Sequence, residues 1–268
     1  MNGDIKRIQV CADDYGFDAA ISHAILEGID AGRLSATSCM VLSPVWPREA
    51  AALRERVGMA DFGLHLDVNE FADLTQVRSL SGWIAAAYRG QIDAVQARVW
   101  VARQLDAFEA AMQRPPNHLD GHQHVHQLPG LRTAVLAELT ARYGLRCALR
   151  STRSRFWRGP KAAVIAMLGS AALRVQAQGM PMNTDFAGVY DFRPEANFAA
   201  LVATWLTQLP DGGLLMTHPA FAAGTETRPD PIRAARVKER KFWLSNEAVD
   251  LMARLGVQLG LSQDWPPA

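Results

Sequence analysis

Apolar residues in this chain follow two alternating rhythms. Short apolar runs such as Ile8 to Ala12 and Phe62 to Leu66 have strand character, and longer stretches between them place apolar residues every three or four positions. Asp18 stands where a helix cap would, ahead of Ile21, Ala24, Ile25 and Ile29, and Gly32 follows the last of them. Ser38 to Leu42 reads as a second strand, and Pro47 sits where the first turn of a second helix tolerates proline. Val95, Val99, Ala102, Leu105, Phe108 and Met112 predict a long helix that Pro115 and Pro116 stop. His118 to Asp120, Leu145 to Arg150, Leu214 to Thr217 and Val257 to Leu261 read as further strands. Leu131 to Arg142 and the repeat Phe198, Leu201, Val202, Trp205, Leu209 read as helices.

Strands that alternate with helices imply a parallel sheet covered by helices. Seven or eight such units fit a TIM-like (β/α) barrel better than an open doubly wound sheet. No internal repeat or linker breaks the pattern, so residues 1–268 are expected to form one domain. The stretches Asp67 to Gly90 and Thr152 to Gly159 read as long loops after strands, where barrels shape their substrate sites.

Composition narrows the classes. Hydrophobic residues are 49% of the chain, enough for a sizeable core, and 28 Lys+Arg against 27 Asp+Glu leave a net charge of +1. That balance gives no electrostatic footprint for nucleic acid. One basic stretch, from Arg146 to Lys161, reads as a solvated loop, an anion-binding edge or a contact with acidic headgroups. Cys11, Cys39 and Cys147 are sparse and unpaired in spacing, as in a reducing compartment. The N-terminus lacks an apolar leader, and the apolar stretch Ala162 to Leu173 is too short to span a bilayer. The expectation is a cytoplasmic protein without a transmembrane segment, with peripheral contact to the inner membrane left open.

Four places put polar, metal-competent residues at the end of an apolar strand: IQVCADDYG with Asp13 and Asp14, FGLHLDV with His65 and Asp67, HLDGHQHVHQLP with Asp120, His122, His124 and His126, and LLMTHP with His218. Strand ends of a barrel converge on one face, so segments distant in sequence would meet at one site. Taken singly, Asp13 and Asp14 are also compatible with a helix cap, and His65 with a satisfied core histidine. His122, His124 and His126 share period 2 and would face one side if the stretch stays extended. Asp120, two residues before His122, is a candidate for orienting a ligand histidine. Two histidines and one carboxylate leave open positions for an ion that activates water. A nearby carboxylate can then take the water's proton, and a protonated histidine can donate one to the leaving group.

The runs ADDYG, AGRLSATSCMV, GLHLDV and HLDGHQHVHQLP resemble the YdjC-like carbohydrate deacetylases, which include chitooligosaccharide and hopanoid-associated deacetylases. The resemblance covers most of residues 7 to 145 and reaches weakly to the THP at His218. It implies an irregular (β/α) barrel related to polysaccharide deacetylases, and removal of acetyl groups from N-acetylated sugars or glycolipids by metal-activated water. Carried onto this chain, it implies Asp14, His65 and His122 as metal ligands, Asp13 as general base and His218 as general acid. It also implies one divalent ion. Softness favours Zn²⁺ for this donor set, while the family keeps Mg²⁺ in play. Homodimers are common in the family. The loop DVNEF after His65 departs from the threonine-rich stretch of many sugar-cleaving members. Arg150 and Asp185, with His124, are candidate substrate contacts. A phosphoesterase on the same scaffold is the competing reading, with His124, His126 and Asp67 as spare ligands for a second ion. A non-catalytic scaffold is disfavoured, because every proposed ligand and the base are present.

Overall fold

The computed structural model describes residues 5–72, 78–193, 195–223 and 228–268. Its centre is β1 (Lys6–Tyr15), buried over its last eight residues, as a parallel strand covered on both faces must be. Around it run α1 (Ala19–Asp30), β2 (Ala36–Cys39), α2 (Trp46–Arg54), β3 (Asp61–Leu66), α3 (Leu80–Tyr88), α4 (Ala94–Met112), β4 (His118–Gly121), α5 (Leu131–Tyr143) and β5 (Ala148–Leu149). Then come α6 (Pro160–Met167), α7 (Ser170–Gln176), β6 (Phe186–Ala187), α8 (Phe198–Gln208), β7 (Gly213–Thr217), α9 (Arg233–Trp243), α10 (Asn246–Arg254) and β8 (Val257–Leu259). The strands pair in parallel in the order β5-β4-β3-β2-β1-β7-β6, and β8 pairs with the start of β1. A parallel bridge between Leu149 and Met182 ties the β5 edge to the segment leading into β6, which curls the sheet round as an irregular barrel. The expected α/β barrel class is therefore the observed one.

Strand parity divides the residues into two layers. Ile8, Val10 and Ala12 of β1, Leu64 and Leu66 of β3 and Leu119 of β4 pack outward into the main core beneath the helices. The alternate positions point inward: Cys11, Ala36, Ala148, Phe186, Leu214 and Met216 form a small internal cluster. Polar groups share this interior. Gln9 donates to Asp61 Oδ2 at 3.1 Å, and Ser38 Oγ lies 3.0 Å from His118 Nε2. Gly63 is required here, because a Cβ on it would collide with the His118 ring. The next inward positions along the strands, Asp13, His65 and Asp120, stand at their C-terminal ends.

Local signals hold where they carry a mechanism. Asp18 caps α1 by accepting from Ile21 N at 2.9 Å, and a proline opens α2. Three expectations change. The stretch read as a loop from Asp67 to Gly90 contains α3, capped by Ser79, while residues 73–77 of it lie outside the described residues. The apolar positions of α3 surround the helix too evenly to show a period. The strand expected over Leu145 to Arg150 shrinks to two residues, with Leu145 exposed just after the Gly144 that ends α5. Helices α6 and α7 and the two-residue β6 were not expected. All three cysteines are free and buried.

Candidate active site

Consecutive strand residues point to opposite faces, so Asp13 and Asp14 would ordinarily diverge. Asp14 instead adopts a left-handed backbone, φ 72°, beside an irregularity in the β1–β2 register between Ala12 and Tyr15. The turn brings both carboxylates to one cavity. A non-glycine residue in this conformation costs on the order of 1 kcal/mol, and such strain clusters at functional sites. Asp14 Oδ1 lies 3.3 Å from His65 Nε2 and 3.0 Å from His122 Nδ1. The three donor atoms lie within 4.8 Å of one another.

His65 is buried, and its other nitrogen, Nδ1, is 2.5 Å from Asp120 Oδ1. Asp120 therefore orients His65, not its near neighbour His122. Burial disfavours a charged His65, but the Asp120 and Asp13 carboxylates outweigh it and push the ring up to about 10. Burial alone would raise Asp14. The Arg236 guanidinium, with hydrogen bonds from His122 and His65, holds it well below the usual carboxylate range. Arg236 Nη2 donates to Asp14 Oδ2 at 2.6 Å, and its Nε lies 2.8 Å from Asp230 Oδ2.

The histidine-rich segment does not stay extended. After β4 it winds into a 3-10 turn, His122–Gln127, in which Gln123 and His124 are left-handed with φ 52° and 61°. The three histidines separate. His122 meets Asp14. His124 packs edge-on against Phe186, with ring centroids 5.5 Å apart, and touches the cavity. His126 Nε2 donates to the Arg150 carbonyl at 3.0 Å and does not line the cavity. Asp67 accepts from the backbone N–H groups of Asn69, Glu70 and Phe71 and stabilises its own loop. These placements leave the spare donors of a two-ion site dispersed.

Arg150 and Asp185 are not where substrate contacts belong. Both are fully buried, and neither lines the cavity. Arg150 grips Asp13 with two hydrogen bonds, 2.7 Å to Oδ2 and 2.6 Å to Oδ1, and lies 2.5 Å from Asp120 Oδ2. A second donor trio, Asp13, His65 and Asp120, is thus already spanned by a cation. The same cation contacts Cys11 and Asp120 of the third trio, Cys11, His118 and Asp120. The trio at Asp14 differs: Arg236 takes only its Oδ2 and leaves Oδ1 to the two histidines. Asp185 pairs with Arg158 at 2.8 Å and accepts from Arg155 N, which pins the segment after β5.

His218 follows β7 and lines the same cavity as Asp13 and Asp14. Its backbone N–H donates to Glu239 Oε2 at 2.6 Å, and Thr217 Oγ1 donates to the same oxygen. Burial and the Arg236 charge push the ring down to about 4. Helix α9 therefore supports two parts of the site, Arg236 at Asp14 and Glu239 at His218. Neither residue has a sequence signal: RAARVKERK reads as an ordinary charged helix. The cavity holds about 750 Å³. Leu80 and Ile84 of α3, Ile165 of α6, Leu168 just after it, and Phe17 and Phe192 help to wall it. Trp46 and Trp83 are core residues, and Trp157 is exposed to solvent.

A family model described as YdjC-like protein matches residues 7–254. The chain belongs to the YdjC-like family. Among its relatives, a human protein named carbohydrate deacetylase is 32% identical over 160 residues, 54% of this chain and 49% of that protein. A chitooligosaccharide deacetylase from Enterobacter sp. (strain 638) is 27% identical over 266 residues, 95% of this chain and 97% of the relative. One from Serratia marcescens is 29% identical over 231 residues, 82% and 84%. The matched part spans about half the length of the human and mouse relatives. A solved Enterococcus faecalis V583 protein, named for cellobiose-phosphate cleavage, superposes with TM-score 0.73 at 19% identity, over 97% of this chain and 98% of that one. That likeness shows the YdjC-like chain's fold. No helix among the described residues is long and apolar enough to cross a membrane.

Proposed function

We propose that this chain is a metal-dependent hydrolase that removes the acetyl group from an N-acetylated amino sugar or glycoconjugate. The observation that carries the reading is the approach of His65 Nε2 and His122 Nδ1 to one oxygen of Asp14, on the floor of a cavity that Asp13 and His218 also line. The names of the family relatives support the substrate chemistry.

The residues fit one divalent ion. Three donors of mixed nitrogen and oxygen character converge, and His65 has the carboxylate partner that ligand histidines ordinarily have. Zn²⁺ suits the set, and Mg²⁺ less so because it prefers oxygen. When bound, the ion polarises the acetamide carbonyl and lowers the pKa of its water towards about 7.

Asp13 takes the proton of the attacking water. Its two hydrogen bonds from Arg150 fix the carboxylate in place, so no reorientation is needed during reaction. His218 gives a proton to the departing nitrogen. The ring is neutral between turnovers, since it is pushed down to about 4, so the proton it donates is the one Asp13 removes from the attacking water, taken up as negative charge develops on the carbonyl oxygen and passed to the nitrogen as the C–N bond breaks. The apolar walls exclude water and strengthen every charge interaction inside. Acetate release from N-acetylglucosamine oligosaccharides and N-acetylglucosaminyl lipids, with Zn²⁺, Mn²⁺, Co²⁺, Ni²⁺ or Mg²⁺ added, tests the reading. No acetate from any pair would defeat it.

A further inference from the structure

Polar partners fix most of the reacting groups. Arg150 holds Asp13, Arg236 holds Asp14, and Asp120 turns His65. His218 is different. Its backbone N–H donates to Glu239, but its ring Nδ1 is buried without a hydrogen-bond partner. A histidine that moves a proton is commonly turned by a carboxylate at its second nitrogen. Among the described residues, no carboxylate takes that place at His218.

What meets the ring is Phe192. The two ring centroids lie 5.3 Å apart with planes at 85°, the edge-to-face arrangement that aromatic rings favour. Both side chains line the catalytic cavity. The backbone of Phe192 is left-handed, φ 58°, which is an outlier for so bulky a residue. Such a conformation persists only where the surroundings impose it, and it clusters at functional sites.

The surroundings do impose it. Lys161, in the first turn of α6, places Nζ over the Phe192 ring, 4.3 Å from the centroid. The Tyr190 ring packs beside it, with centroids 4.4 Å apart. Lys161 Nζ also donates to the Tyr190 carbonyl at 3.1 Å, and the Tyr190 hydroxyl donates to Glu239 Oε1 at 2.7 Å. Glu239 Oε2 accepts the His218 N–H. One network therefore reaches His218 twice, through Glu239 at its backbone and through Phe192 at its ring.

We propose that Phe192 is a positioning residue for His218: its ring, held by Lys161 and Tyr190, fixes the plane of the imidazole. A carboxylate in that place would occupy one nitrogen. An aromatic ring orients the imidazole and leaves both nitrogens free to take up a proton and pass it on. The catalytic consequence rests on the deacetylase reading; the orientation of the ring does not.

Two measurements on the full chain test this. Phe192→Leu keeps apolar bulk and loses the ring, Phe192→Gly suits the left-handed backbone, and Phe192→Tyr keeps the ring. In proton NMR of the metal-free protein, the His218 ring signals are those that His218→Gln removes. The neighbouring aromatic ring displaces them. They are expected to move in the Leu and Gly variants and to stay in the Tyr variant. In the metal-loaded protein, acting on an N-acetylglucosamine oligosaccharide, Phe192→Leu is expected to lower kcat about tenfold or more. KM stays within about twofold, the metal content is unchanged, and Phe192→Tyr restores kcat to within about threefold. In a His218→Gln background Phe192→Leu is expected to cost nothing further, because it acts through the imidazole. His218 signals that stay in place in Phe192→Leu overturn the inference. So does a Phe192→Leu loss that multiplies the loss of His218→Gln. A raised KM at unchanged kcat also overturns it and makes Phe192 a surface for the sugar. No acetate from any substrate with the unsubstituted protein overturns the deacetylase reading instead, and the ring signals alone then decide whether Phe192 orients His218.

Discussion

Asp120 Oδ1 lies 2.5 Å from His65 Nδ1, and this one contact turns the ring so that Nε2 faces Asp14. A ligand histidine whose second nitrogen is held this way has one tautomer and one orientation when deprotonated. Asp120→Asn keeps the shape and weakens the hold. Metal affinity, measured by competition with a chromophoric chelator, is expected to fall about 10–100-fold. Unchanged affinity would show that Asp120 does not act through the ion site.

Arg150 is the counter-charge for two buried carboxylates, Asp13 and Asp120. Arg150→Met removes the charge and leaves both carboxylates buried without it. Breaking a buried ion pair from one side costs about 3–5 kcal/mol. Urea denaturation of the metal-free protein at neutral pH is expected to show a loss of that order. A loss under about 1 kcal/mol, within the range of exposed pairs, would mean that solvent reaches the network.

The buried histidines make stability depend on pH in both directions. His65 is raised to about 10, against an unfolded value near 6.5. Its contribution is fully present below about pH 6.5 and is lost as pH rises through about 10. His126 and His218 are pushed down to about 4, chiefly by burial. Their contributions are present above about pH 6.5 and are lost as pH falls through about 4. The metal-free protein is therefore expected to be most stable near about pH 6.5. A saturating divalent ion, which needs neutral His65, flattens the alkaline limb. A metal-free midpoint that stays level from pH 6.5 to 9 would contradict this placement of His65.

His218 lies outside the donor trio and contacts Phe192 edge-on at 5.3 Å. His218→Gln is expected to lower kcat by about 100-fold or more, as loss of a positioned proton donor does. The bound ion should remain, and KM should move little. Loss of the ion together with activity would make His218 a ligand instead.

Much of this arrangement was legible in the sequence because it follows from local rules. The apolar runs located β1, β3, β4 and β7, and strand-end polarity located Asp13, Asp14, His65, His122 and His218, which the structure brings to one cavity. Parity along an extended strand could not separate His122 from His124 and His126, because the separation arises from left-handed residues in a 3-10 turn. The inward turn of Asp14 was equally hidden, since nothing in ADDYG announces a positive φ at a carboxylate. Arg150 looked like a strand-end cation available to substrate, and only the packed interior shows it filled by Asp13 and Asp120. Arg236 and Glu239 come from a helix whose sequence gives no sign of facing the site. Their roles depend on tertiary packing more than two hundred residues along the chain from Asp14.

The division of labour between the adjacent carboxylates Asp13 and Asp14 is the centre of the account, and metal content measured alongside acetate release tests it most directly. The unsubstituted protein is expected to hold one divalent ion per chain. Asp13→Asn should keep that ion and release acetate at least about 100-fold more slowly, while His122→Ala should lose both ion and activity. Two ions per chain, an Asp13→Asn protein that works at the unsubstituted rate, or a His122→Ala protein that keeps its full complement of metal would contradict it.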